Sequence, residues 1–173
     1  MMTNPVPHTD FKPVPRLRIF ASMMYESILL FGVVFFADYL LTSFVQSTDP
    51  GHLLGLHQAV LFIVIGLYFI ICWKRIGQTL PMKTWHIGLV NKVGGKPSLV
   101  QYIVRYICAW IIPLLGAWLI QQLAIYKGWN SIAILIVFAP FLNFVYSWLD
   151  PKGAFLHDRL AGTQLVDLKA KNL

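Results

Sequence analysis

Between Pro15 and Val45 the chain reads PRLRIFASMMYESILLFGVVFFADYLLTSFV. After Arg16 and Arg18 it stays largely apolar for about 27 residues, more than the ~20 a helix needs to cross the hydrocarbon of a bilayer. Yet it carries two carboxylates, Glu26 and Asp38. An ionised acid at the centre of a membrane helix costs ~2.5–3.5 kcal/mol on insertion scales. Glu26 therefore requires a partner or a function. Arg18 is the nearest cation in sequence, but on one helix it lies about 12 Å away along the axis and about 80° around it. A bridge through a second helix or a membrane-proximal loop is the better expectation.

Composition extends this reading to the whole chain. Of 173 residues, 57% are hydrophobic and 12% charged, against roughly 45–50% and ~25% in a soluble domain, and mean hydropathy is +0.65. We read an integral membrane protein of one domain, with spans at about 20–45, 53–73, 104–125 and 131–149. Residues 1–15, with four prolines, read as a flexible tail ahead of a membrane domain over 16–173, and no cleavable signal is expected. Pro113 should kink the third span, and neighbouring groups should satisfy the carbonyl it frees. Asn143, inside the fourth, is a candidate interhelical hydrogen bond.

The polar stretch KRIGQTLPMKTWHIGLVNKVGGKPS, residues 74–98, cannot span. Residues 85–90 alternate like a strand, Gly94-Gly95 reads as a tight turn, and Ser98 is a candidate helix N-cap. GTQLVDL near the C-terminus alternates likewise. Both pieces are too short to fold alone, so they are expected to pair into a small sheet. The fold class is thus all-α: a four-transmembrane-helix bundle with a small cytoplasmic β-hairpin-like cap. Thirteen of the fourteen Lys and Arg residues fall in the N-terminal segment, the middle loop with the next helix start, or the C-terminal tail. The positive-inside rule then puts both termini and that loop in the cytoplasm. The net charge of +7 is absorbed by this pattern and points to membrane lipids rather than nucleic acid.

Three blocks together resemble the RDD family of bacterial membrane proteins: RIFASMMYE (18–26), GQTLPMKTWHIGLVNKVGGKPS (77–98) and LHDRLAGTQLVDL (156–168). The resemblance assigns Arg18 as the family's arginine, Glu26 as its first acid and Asp158 as its second. Glu26 replaces an aspartate, and Pro81 stands where the family usually has glycine. It implies a multi-pass protein of the bacterial inner membrane, and cation/proton exchange as an activity.

Arginine's planar fork can serve two carboxylates, so Arg18, Glu26 and Asp158 are expected to form one charge cluster at the cytoplasmic interface. Asp38, His157 and Arg159 are secondary candidates, Asp38 as an outer snorkelling carboxylate. His57 reads as an interfacial histidine. His157 has no activated serine or cysteine beside it, so no enzyme is expected. His157 and Asp158 are too sparse for a metal site, and no cofactor motif is present. Two function classes follow: a small cation or proton exchanger with Glu26 as titrating acid, or a membrane scaffold or assembly factor whose cytoplasmic face binds a partner. A homo-oligomer is expected if four spans are to line a pathway.

Overall fold

The computed structural model describes residues 12–44, 50–128, 130–150 and 153–169. Four helices are long and apolar enough to cross a membrane: Arg16–Phe44, Leu54–Ile76, Leu99–Lys127 and Ser131–Leu149. Only 6 to 17% of their most apolar windows is buried within the protein. Side chains such as Phe31, Phe35 and Leu119 are largely exposed. That surface would be untenable in water and is the favourable state in hydrocarbon. The chain is a multi-pass membrane protein of the expected all-α class.

Its helices fall into two compact units. One comprises residues 12–89 and 166–169. In it α1 (Arg16–Phe44) packs on α2 (Pro50–Ile76), and the short α3 (Leu80–Thr84) packs on α1. The expected turn at 46–51 lies outside the described residues up to 49. Pro50 already opens α2, as a first-turn proline can. Of the expected tail, residues 1–11 lie outside the described residues. The Lys12 carbonyl accepts from the Asp167 backbone N–H at 3.1 Å, and Val14 is buried.

Residues 90–165 form the other unit. Ser98 is indeed the N-cap of α4 (Leu99–Ala109). Its hydroxyl accepts from Gln101 N–H while Gln101 Oε1 accepts from Ser98 N–H, a reciprocal pair that satisfies two donors at the helix start. The third span does break, at Trp110, before α5 (Ile111–Lys127). The cause is Pro113. It has no N–H for the carbonyl four residues back, Ala109, and its ring crowds that oxygen. Asn143 Nδ2 donates to the Ala109 carbonyl at 3.0 Å, so the carbonyl freed in one span is satisfied by the amide of the next.

The fourth span differs in type from an ordinary α-helix. Asn130–Phe141 is a 3₁₀ helix, and only Leu142–Leu149 (α6) is α-helical. At ~2.0 Å per residue for 3₁₀ and ~1.5 Å for α, Ser131–Leu149 reaches about 34 Å rather than about 28 Å. The longer reach clears the ~30 Å hydrocarbon thickness. Gly116 of α5 faces Leu142, where a Cβ would collide with the leucine side chain, so the two elements meet at a glycine. After α7 (Leu156–Ala161) the chain enters β2 (Thr163–Asp167).

The two alternating pieces pair as expected. β1 (Ile87–Asn91) and β2 (Thr163–Asp167) form a two-stranded antiparallel sheet. Its register is marked by Leu168 N–H to the His86 carbonyl (2.9 Å) at one end and Lys92 N–H to the Gly162 carbonyl (3.1 Å) at the other.

Candidate functional site

Glu26 sits ten residues into α1, a half-buried carboxylate inside a span. Two hydroxyls converge on it. Tyr68 of α2 donates to Oε1 at 2.6 Å, and Thr79, the N-cap of α3, donates to Oε2 at 2.5 Å. These lengths lie in the ~2.5–2.7 Å range of O–H···O⁻ bonds. No Lys, Arg or His pairs with Glu26 among the described residues. Thr79 is buried, and its oxygen also accepts from the Met82 N–H at 3.4 Å. Its one hydrogen is therefore spent on Glu26.

Hydroxyls both donate and accept. Two of them can meet a carboxylate as donors, or a protonated carboxyl with one as acceptor, without leaving a buried polar atom orphaned. A guanidinium partner could do only the first. The arrangement suits a group that changes protonation state in place.

Arg18, about two helix turns before Glu26 on α1, is not part of an ion pair with Glu26. Its Nη1 donates to Asp167 Oδ2 at 2.6 Å. Its Nε donates to the Trp85 carbonyl at 3.1 Å, and Nη2 donates to the carbonyls of Trp85 and, at 3.2 Å, His86. The Arg18 hydrogen bond, foremost, holds the Asp167 carboxyl below the usual range. Towards the far end of the same hairpin Asp38 Oδ1 meets His57 Nδ1 at 2.9 Å. Asp38 thus has a partner on α2 that the sequence reading did not give it.

Asp158 is spent elsewhere. Within its own unit it is buried against Arg105 of α4, the two side chains forming an ion pair. Thr163 joins them, donating to Asp158 Oδ1 at 2.7 Å and accepting from Arg105 Nη1 at 3.1 Å. His157 stacks on Phe155 with ring centroids 5.1 Å apart, and its Nε2 stands 3.9 Å from Asp158 Oδ2. Burial, with Arg105 nearby, holds its imidazole well below its ordinary range. Arg159 reaches Asp150 at 2.8 Å.

The single cluster of Arg18, Glu26 and Asp158 is therefore corrected. The three residues take part in three separate sets of contacts: Arg18 with Asp167 and two carbonyls, Glu26 with Tyr68 and Thr79, and Asp158 with Arg105 and Thr163. Arg18 does serve several oxygens with its fork, but most of them are backbone carbonyls at the end of a short helix. Those oxygens have no intrahelical donors of their own. Sequence reasoning missed Tyr68, Thr79, Arg105 and Asp167. Thr79 had a legible signal, a hydroxyl residue two positions before Pro81 at a helix start. Among the described residues no group of three or more His, Cys, Asp or Glu could hold a metal.

Compared with family models, residues 13–162 match that of the RDD family. Neither curated proteins nor solved structures gave a match.

Proposed function

This chain belongs to the RDD family, and from that premise we propose that it exchanges a small cation for protons across the bacterial cytoplasmic membrane, with Glu26 as the titrating acid. One observation carries the reading. Glu26 lies inside a span, and its hydrogen-bond partners are two neutral hydroxyls rather than a cation. A carboxylate held only for structure in a membrane is ordinarily neutralised by a basic partner. This one keeps partners that tolerate both of its protonation states. The protein is a transporter rather than an enzyme, its termini lie in the cytoplasm with the basic segments, and it assembles with copies of itself and surrounding lipid to complete a pathway.

The test is purified protein in liposomes, with an imposed monovalent-cation gradient and a pH-sensitive dye inside. Wild type should move protons against the cation. Glu26→Gln, which keeps shape and hydrogen bonding but loses the titrating proton, should abolish the signal with folded protein still present. No flux from folded wild type, as monomer and as oligomer, would overturn exchange and favour the non-catalytic scaffold that binds a partner at its cytoplasmic face.

A further inference from the structure

The segment between α2 and β1 is closed on itself. The Leu89 N–H donates to the Gly77 carbonyl at 3.0 Å, and Gln78 Nε2 donates to the Ile87 carbonyl at 2.7 Å. Inside this closure α3 is tied by Lys83 N–H to the Thr79 carbonyl (3.0 Å) and Trp85 N–H to the Pro81 carbonyl (3.1 Å). Thr79, Pro81 and Met82 are buried. The turn out of α3 passes through His86 in the left-handed region, at φ 55°, a conformation non-glycine residues adopt only where their surroundings hold it. A loop tied at both ends and along its helix moves as one body. Whatever fixes Trp85 and His86 therefore also fixes Thr79.

Arg18 fixes them. Three of its four hydrogen bonds go to the carbonyls of Trp85 and His86, and the fourth to Asp167. The Trp85 ring packs edge-on against Tyr25, the residue before Glu26, at 6.2 Å. The Asp167 N–H is itself bonded to the Lys12 carbonyl, and the Leu168 N–H to the His86 carbonyl. The guanidinium thus sits where α1, the closed loop and the Asp167–Leu168 stretch meet.

We infer that Arg18 is the positioning residue of the Glu26 centre: through the Trp85 and His86 carbonyls it holds the closed 77–89 segment so that the Thr79 hydroxyl stands on the Glu26 carboxylate, and Asp167 holds the guanidinium in turn. This rests on the reading of Glu26 as the proton-binding acid and adds its control. Glu26 keeps one of its two hydroxyl donors only while the Arg18 clamp is closed, so displacement of Asp167 from Arg18 opens the centre. The clamp needs a planar fork. A lysine could keep the ion pair with Asp167, but its three donors on one nitrogen could not reproduce the four bonds that Arg18 makes from a planar fork.

The probe is dicyclohexylcarbodiimide, which modifies protonated carboxyls in apolar surroundings, with labelling at Glu26 and at Asp38 read by mass spectrometry of the whole protein in detergent. Thr79→Val sets the scale. Removing one charge-assisted hydrogen bond should speed Glu26 labelling roughly tenfold. Arg18→Lys should reproduce that increase, and Asp167→Asn should move in the same direction, with Asp38 labelling unchanged in all three. Folded Arg18→Lys protein that labels Glu26 at the wild-type rate would overturn the inference. So would equal acceleration at Glu26 and Asp38, which would mean general loosening. Labelling needs no ion gradient, so a silent exchange assay would refute the transport reading without altering this result.

Discussion

The break in the third span gives a sharp energetic prediction. Replacing Asn143 by Leu removes the donor that serves the Ala109 carbonyl (Nδ2 to O, 3.0 Å). A buried acceptor left without a donor costs ~1–3 kcal/mol. Part of this is offset, because Asn143 Oδ1 is buried and makes no hydrogen bond among the described residues, and leucine removes that orphan too. Interhelical hydrogen bonds in membranes average under ~2 kcal/mol. The net expectation is a loss of about 1–2 kcal/mol. The second arm of the cycle is Pro113→Ala. An alanine there supplies the missing N–H four residues after Ala109, so the carbonyl is satisfied within its own helix. In that background Asn143→Leu should cost nothing or be mildly stabilising. Reversible unfolding in mixed micelles for the four proteins gives the coupling energy directly. An equal cost for Asn143→Leu in both backgrounds would refute the claim that Asn143 answers Pro113.

Other consequences can be checked in the same preparation. Arg105 and Asp158 are 5% and 2% exposed, so Arg105→Gln, which strands a buried carboxylate, should cost ~3–5 kcal/mol, whereas a paired apolar replacement of both should cost much less. His157 is held well below its ordinary 6.5 in the folded protein. The unfolded chain then binds the extra proton first. Stability should be full above about pH 6.5 and fall as pH drops below it, and His157→Phe should flatten that fall in thermal melts. Asp167 is also shifted downward, but for a carboxyl that shift favours the charged form. Its pairing with Arg18 contributes above its ordinary 3.8 and is lost as pH falls through its depressed folded value, so the two effects separate on the pH axis. Ser98→Ala, which removes the cap of α4, should cost about 1 kcal/mol.

Much of the fold could be read from the chain. Apolar run lengths located the four spans, because bilayer thickness leaves little choice of length. Period-two alternation found both strands, and Ser98 announced the cap. Pro113 and Asn143 both stand out in the sequence, and counting back four residues from Pro113 identifies the carbonyl that needs Asn143. The charge partners were harder. Basic and acidic residues gather near the same ends of the spans, and one-dimensional spacing does not say which acid meets which base. Arg18 finds Asp167 because the β1–β2 register sets Leu168 against His86, leaving the preceding acid beside the carbonyls that Arg18 already holds. A shift of one residue would turn Asp167 to the other face. Arg105 is buried because α7 and Thr163 cover its face of α4 with an acid and a hydroxyl. The 3₁₀ geometry of Asn130–Phe141 left no mark in an apolar run that suits either helix.

The proposed exchange requires that Glu26 take up and release a proton in place. Infrared difference spectroscopy of the protein in lipid, titrated across the pH range in which exchange is measured, tests it most directly. A protonated-carboxyl band should grow as pH falls, be absent from Glu26→Gln, and shift in Tyr68→Phe and Thr79→Val as each hydroxyl partner is lost. A Glu26 carboxyl that keeps one protonation state throughout that range would contradict the proposed exchange.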